Sequence, residues 1–485
     1  MPRRVLFIAL AFPPQNSSGT FRSTKFVKYL GAFGWEPVVI TLDWERVLAP
    51  WERDEALLED LPPGLPIYRL PPFNPVHALG RRLRRIFSAS PSGAEETVVT
   101  YSELADDEAP RARWYRALRA LYHFGLAPVG DEHLYWAVRA FPACVRIARR
   151  HAVDVIFVSA SPWTSTLLGV WLKRWLGRPL VVDFRDYWTL WPIKARRRVR
   201  DRLDAWLERW VLRSADRLIC VHEAMAEDFA RLVPEVATRC VTITNGYDAE
   251  DFGRIAREFV PGRGLPNARP SLPQHSKTTL VHTGMVWGDA AIALLEAVAW
   301  LKAHTPSPPS WRVRFVGGLP PSNVRFLREQ GLQDVVTVEP RTRHRDALAA
   351  MVTADVLLLL LTRHEGGRKW YPGKLFEYMA AGRPVLAIAP SGLASALIAE
   401  AGIGVSVEPG ERERVRALLR WAALDPDGFA RQFYHPQMVV IRRYERRELT
   451  RRLAETLEGV VRAPQAILRS RGDPERHRAT SSRRT

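Results

Sequence analysis

Cysteine is scarce in this 485-residue chain, which has three, Cys144, Cys220 and Cys240. None stands in a C-x-x-C pair, and no histidine lies at metal-ligand spacing beside them. That argues against a disulfide framework and against structural zinc, and it suits a reducing cytoplasm. Long apolar runs are missing too. No stretch of about 20 apolar residues occurs, so no membrane-spanning helix is expected. Met1–Phe12 sets Arg3 and Arg4 before an apolar run, but the run is short. Pro13-Pro14 follows where a signal peptide would carry small residues, so the segment reads as a first buried strand. No G-x-G-x-x-G is present, and a dinucleotide cofactor is not expected. No internal repeat is evident. Acidic residues are outnumbered, 52 against 71 Lys and Arg, giving a formal net charge of +19. So basic a chain seeks polyanions: nucleic acid, an anionic membrane or phosphorylated substrates. The basic residues are scattered and form no recognisable nucleic-acid module, so nucleic acid is not the expected partner.

What is present is a large apolar fraction, 47%, on a chain long enough for two cores. Val5–Phe12 is an apolar run ending in Pro-Pro. A helical pattern follows over Phe21–Phe33, then a strand over Glu36–Leu42, which opens a parallel sheet. The alternation resumes with strand Asp154–Ala160, helix Thr164–Trp175, strand Pro179–Phe184, helix Val199–Leu212 and strands Arg217–His222 and Cys240–Thr244. A first domain over residues 1–250 is predicted. Prolines and glycines without a period mark a linker over 251–276. A second series then covers 277–430: strand Thr279–His282, helix Ala290–Ala303, strands Arg312–Val316, Val335–Val338 and Asp355–Leu361, helix Leu375–Ala381, and strands Pro384–Ile388 and Gly404–Val407. Tyr434–Val461 reads as helical, and 463–485 as a basic, disordered tail.

The segment Tyr371–Val385 is the most informative. Pro372 and Gly373 turn the chain into a helix after an apolar strand. Its first turn holds Lys374, and Glu377 lies one turn on. A helix N-terminus at the carboxyl end of a parallel strand binds phosphate through free N–H groups and the helix dipole. Lys374 adds a mobile charge, and Glu377 can accept hydrogen bonds from vicinal ribose hydroxyls. Gly382-Arg383-Pro384 ends the helix. A plain loop-helix-strand unit with a solvated Lys and Glu uses the same residue types, so both readings stand at this level.

A second group, Asp183, Arg185 and Asp186, follows a strand, at the carboxyl edge of a sheet. A carboxylate there can act as general base or position an acceptor, while an Arg between two acids is also the mark of a structural ion pair. Gly19 follows the first strand and lets backbone approach a substrate closely. Arg22, one turn into the helix, can reach a phosphate; an ordinary βα turn would carry the same residues. Within 76–128, Leu79, Leu83, Ile86 and Phe87 form an apolar stripe beside Arg81, Arg82, Arg84 and Arg85. Trp114, Leu118, Leu121 and Tyr122 repeat it. Such helices lie in the headgroup region of an anionic bilayer, or pack on a core with solvated arginines.

Tyr371–Val385 resembles the donor-binding signature P-x-K-x-x-E-Y-x-A-x-G-x-P of family-4-like glycosyltransferases of the GT-B fold. The matches are Pro372, Lys374, Glu377, Tyr378, Ala380, Gly382 and Pro384. Asp183–Trp188 is similar to the D-F-R-D-x-W motif of a bacterial subgroup devoted to surface polysaccharide. Asn245–Asp248 is similar to its N-G-[FY]-D turn, and His282-Thr283-Gly284 to its H-T-G turn. The resemblance implies an α/β, GT-B architecture: two Rossmann-like, doubly wound domains facing across a cleft, with residues 431–462 returning to the first. It implies a retaining hexosyltransferase that takes its sugar from a nucleotide-diphosphate sugar, with no cofactor and no metal. Gly19, Arg22, Gly284, Arg368, Lys369, Tyr371, Lys374, Leu375 and Glu377 would hold the donor, and Asp186 and Arg185 would serve catalysis. The acceptor would be a glycan or a polyprenyl-linked glycan, and the enzyme peripheral on the inner face of a bacterial cell membrane. Two positions depart from the pattern. Lys369 replaces the first of a common pair of glutamates, and Met285–Asp289 lacks the usual Arg and Lys. A nucleotide-sugar 2-epimerase of the same fold and a non-catalytic, membrane-associated binding protein are the rival readings.

Overall fold

The computed structural model describes residues 2–47, 52–73, 131, 133–190, 198–260, 277–286, 290–362 and 365–471. The chain forms two compact units. One takes the chain as far as Ile243 and again from Thr450; the other is Thr244–Leu449.

In the first unit β1 (Arg3–Ala9), α1 (Ser18–Leu30), β2 (Trp35–Leu42), β3 (Ile67–Leu70), α2 (Leu134–Arg150) and β4 (Val155–Ala160) follow in order. Then come α3 (Thr164–Leu176), β5 (Leu180–Phe184), α4 (Arg198–Ser214), β6 (Arg217–Cys220), α5 (Glu223–Leu232) and β7 (Cys240–Thr242). The strands make one sheet, β3-β2-β1-β4-β5-β6-β7, paired in parallel throughout. Strand order reverses between β1 and β4, so the sheet is doubly wound. Right-handed crossovers put α1 on one face and α2, α3 and α4 together on the other. Central strands are covered on both faces, which is why β4 and β5 are buried along their whole length instead of alternating.

The second unit contains α6 (Ala249–Phe259), β8 (Thr278–Thr283), α7 (Ile292–Ala303), β9 (Trp311–Val316), α8 (Pro321–Glu329), β10 (Val336–Glu339) and α9 (His344–Thr353). It continues with β11 (Val356–Leu360), α10 (Glu365–Lys369), α11 (Gly373–Ala380), β12 (Val385–Ile388), α12 (Leu393–Ala401) and β13 (Gly404–Val407). Helices α13 (Arg412–Leu424), α14 (Pro426–Phe433), α15 (Met438–Arg442) and α16 (Arg446–Arg471) end the described chain. The sheet, β10-β9-β8-β11-β12-β13, is again parallel, with its reversal between β8 and β11.

Three boundaries differ from those predicted. The first unit ends at Ile243 and not near 250, because the Asn245–Asp248 turn is tied into the second. Tyr247 N–H donates to the Tyr444 carbonyl at 3.1 Å, and Arg446 N–H to the Tyr247 carbonyl at 2.8 Å. A Cβ on Gly246 would lie 2.1 Å from the Tyr444 oxygen, so the turn admits only glycine. Asp248 caps α6 by accepting from Glu250 N–H at 3.0 Å. The expected linker therefore begins as helix, and residues 261–276 lie outside the described chain. The helix predicted over Tyr434–Val461 is interrupted at Tyr444, where the Tyr247 bonds hold a turn between α15 and α16. Helix α16 runs on to Arg471, into the predicted tail. From Thr450 it belongs to the first unit, with Leu453 and Leu457 fully buried. Arg3 Nη1 meets Glu458 Oε2 at 2.6 Å, and Arg452 Nη2 donates to the Thr242 carbonyl at 2.6 Å. The two stripes of residues 76–128 lie outside the described chain. Among the described residues no helix is long and apolar enough to cross a membrane.

Candidate functional site

In the second unit the carboxyl ends of β8 and β11 flank the reversal of strand order, the place where open parallel sheets bind ligands. Gly284 leaves β8 with φ +75°, a left-handed backbone that favours glycine, and its N–H donates to the Val316 carbonyl at 2.7 Å. Gly317, at φ +126°, presses on it: a Cβ there would lie 2.8 Å from Gly284 Cα. The floor of the site is thus two backbones in contact, with no side chain between them.

Helix α11 supplies the wall. Pro372 precedes it with extended backbone, and the helix ends at Gly382, φ +69°. Leu375 and Phe376 are fully buried and anchor the helix, so Leu375 can offer a ligand only main-chain atoms. Tyr378 staples it to the H-T-G turn: its hydroxyl accepts from Thr283 N–H at 3.0 Å and donates to the Leu358 carbonyl at 3.2 Å. The signature tyrosine is therefore part of the frame.

Lys374 stands over the glycine floor. Its Nζ would be 3.3 Å from a Cβ on Gly284. The ammonium donates to His282 Nε2 at 2.9 Å and reaches the Met285 carbonyl at 3.5 Å. His282 has no solvent exposure. Its Nδ1 lies 2.9 Å from the Leu358 carbonyl, which can only accept, so Nδ1 carries the proton and Nε2 is left as an acceptor. Burial, and then the adjacent Lys374, hold the imidazole well below its ordinary pKa, hence neutral. Burial pushes Lys374 down to about 7, against a smaller opposing effect of Glu377. The Lys374 contacts are a neutral imidazole and a carbonyl, neither of which cancels its charge.

Glu377, one turn on, is part-exposed and meets His344 Nε2 through Oε1 at 2.8 Å. His344 is the first residue of α9. Tyr371 packs edge-on against Phe376, ring centres 5.7 Å apart. Arg368 and Lys369 are exposed on α10. Their helix is held close to α12, since a Cβ on Gly392 would meet the Arg368 carbonyl at 2.3 Å. The structure thus gathers Gly284, Lys374, Leu375 and Glu377 about one helix start. His282 and His344 complete the group and were not singled out from the sequence as ligand-site residues. The H-T-G match contained His282, but nothing local marked His344, which follows a different strand.

In the first unit Gly19, Arg185 and Asp186 lie at the carboxyl ends of β1 and β5. A Cβ on Gly19 would fall 1.7 Å from Arg185 Nη1, so the guanidinium lies directly on bare backbone. Arg185 Nη2 donates to the Ser161 carbonyl, its Nε has no hydrogen-bond partner, and burial lowers its pKa. Asp186 accepts from Ser161 Oγ at 3.4 Å. Arg22 and Asp183 are placed otherwise than predicted. Both are fully buried, and Arg22 closes on Asp183 with Nη2–Oδ1 at 2.7 Å and Nε–Oδ2 at 2.9 Å. Arg22 Nη2 also donates to the Ile243 carbonyl at 2.8 Å. A guanidinium without solvent must be matched by a carboxylate, so Arg22 is held inside and is not presented to a phosphate.

Two family models match the chain: Glycosyltransferase Family 4 over residues 76–251 and Glycosyl transferases group 1 over 277–423. No curated protein matches in sequence. Among solved structures, HepE of Anabaena in complex with UDP and glucose is 16% identical, with a TM-score of 0.57 over 94% of this chain and 100% of its own. A glycosyltransferase from Rickettsia africae is 12% identical, with a TM-score of 0.56 over 95% and 99%. The sucrose-phosphate synthase of Thermosynechococcus elongatus is 16% identical, with a TM-score of 0.51 over 96% and 98%. These likenesses establish the fold as GT-B, and the two models between them account for about two thirds of the sequence. On that ground, with doubly wound units beneath it, the chain is a glycosyltransferase of the GT-B fold, matched by the family-4 model over residues 76–251 and by the group 1 model over 277–423.

Proposed function

We propose that the chain moves a hexose from a nucleotide-diphosphate sugar to a glycan or polyprenyl-linked glycan, with retention of configuration. The observation that carries this reading is Lys374, a cation set over a backbone floor by a neutral imidazole. In this reading the α11 N-terminus and Lys374 take the diphosphate, Arg368 and Lys369 add positive charge, and Glu377 binds the ribose hydroxyls. Catalysis is then mainly positioning, with positive charge stabilising the departing diphosphate, and it calls for no bound metal or cofactor. Asp186, with Arg185 beside it, serves the acceptor as general base or as an orienting group. Assembly of bacterial surface polysaccharide on the inner face of the cell membrane is the setting we assign.

Thermal-shift screening against nucleoside diphosphates and their sugars tests the donor site, since a ligand that binds the folded state raises Tm. Stabilisation by at least one diphosphate is expected, and none from any member of the panel would overturn the reading. Incubation with donor alone separates transfer from 2-epimerisation, which needs no acceptor.

A further inference from the structure

The face of the first unit formed by α2, α3 and α4 combines exposed aromatic residues with an excess of one charge. Trp175 and Trp206 are 62% and 59% exposed, and Val138 and Leu203 57% and 43%. An isolated exposed apolar residue needs no explanation, but large indoles left this open are uncommon. These are held in place. Trp206 stacks on Trp210 with ring planes 5° apart, and Trp175 packs edge-on against Phe141 across the α2–α3 seam. The helices are neighbours on one side of the sheet, and Lys173 of α3 reaches the Ser214 carbonyl at the end of α4.

The charge on this face is positive. Helices α2 and α3 contain no acidic residue, while α2 exposes Arg139, Arg146, Arg149 and Arg150, and α3 exposes Arg174. On α4, Asp204 and Glu208 are fully buried and Asp201 is partly buried, whereas Arg202 is exposed; Arg213 is exposed but paired with Glu235 at 2.7 Å. Indole rings beside an excess of exposed arginines, most of the acids of these helices being buried, complement the interface of an anionic bilayer. There an amphipathic ring sits at headgroup depth and a guanidinium meets lipid phosphate.

We propose that the outer face of α2, α3 and α4 docks on an anionic lipid surface, with Trp175 and Trp206 entering the headgroup layer and the arginines held against its phosphates. None of the residues of this surface belongs to the residue 76–128 stripes or to the donor-site group, and the proposal does not depend on the identity of the substrate.

Co-sedimentation of the full chain with phosphatidylcholine vesicles, with and without phosphatidylglycerol, tests it. Binding is expected to require the anionic lipid and to weaken with salt. R146Q/R149Q/R174Q should reduce anionic-vesicle binding by roughly fivefold per charge at low salt, and flatten its salt dependence. W175A/W206A should weaken binding at every salt concentration and remove part of the tryptophan quenching by brominated lipid. Both variants should keep nucleoside diphosphate binding, and the arginine variant the parent Tm, because its changed side chains are exposed; W175A/W206A gives up the ring contacts with Phe141 and Trp210 and is compared below its own Tm. Parent-like vesicle binding by both variants would overturn the proposal, as would failure of the parent to bind anionic vesicles. Loss of the diphosphate response, with vesicle binding intact, would count against the donor site alone.

Discussion

Raising the pH from about 7 to about 9 should loosen a nucleoside diphosphate from the second unit by up to roughly a hundredfold. The origin is Lys374, whose partly buried ammonium stands beside His282 and loses its proton near 7 instead of at the usual 10.5. A diphosphate restores the charged form, so above pH 7 binding must take up a proton. Affinity then falls about tenfold per pH unit until the pKa of the complex is reached. The ligand does not confuse the result, since a terminal phosphate with a pKa near 6 is already ionised in this window. Folding responds with the opposite sign. Between 7 and 10.5 the unfolded chain holds a proton that the folded chain has lost, so the contribution of Lys374 to stability grows as pH rises. Isothermal titration in buffers of different ionisation enthalpy measures both the affinity and the protons taken up. Lys374→Arg keeps its charge and should flatten the profile. Equal affinity across the window in the parent, or the same slope in the Arg variant, would refute the assignment.

Glu377→Ala should weaken diphosphate binding about ten- to a hundredfold by removing a charge-assisted bond to ribose, and a 2′,3′-dideoxy analogue should show no such loss. Gly317→Ala should lower stability by on the order of 2–3 kcal/mol and abolish donor binding, because φ is +126° and the new Cβ would press 2.8 Å from Gly284; urea denaturation and thermal shift measure each effect. Arg22→Ala should cost about 3–5 kcal/mol by stranding a fully buried Asp183, without selectively altering donor affinity. Asp186→Asn should lower kcat while leaving donor KM near the parent value, and a pure KM effect would remove it from the acceptor side.

The alternation of apolar runs with amphipathic segments was legible because parallel strands are buried on both faces. Val5–Ala9, Val155–Ala160 and Leu180–Phe184 each stand out in the sequence for that reason. The start of α11 was legible too, since Pro372 and Gly382 bracket it with opposite backbone requirements. Arg22 was misread because local sequence shows a charge without its partner. Asp183 lies far along the chain, and only the sheet brings the two together. His344 was hidden by the same kind of distance, as it meets Glu377 only through the packing of α9 beside α11. The Asn245–Asp248 turn looked like the end of one domain because its partner, Tyr444, lies beyond the whole second sheet.

The return of α16 to the first unit bears on the order in which a ribosome can deliver a finished molecule. Strand β1 emerges long before α16, so Arg3 waits for Glu458, and Thr242 for Arg452. The opening half of the chain must therefore persist as a complete sheet not yet covered by α16 while the remainder is made, with apolar surface that Leu453 and Leu457 will later cover. The second unit, continuous from Thr244 to Leu449, can close before the remainder of α16 leaves the exit tunnel. Synthesis that stalls after Leu449 would leave the later-made unit complete and the earlier one still dependent on chaperones.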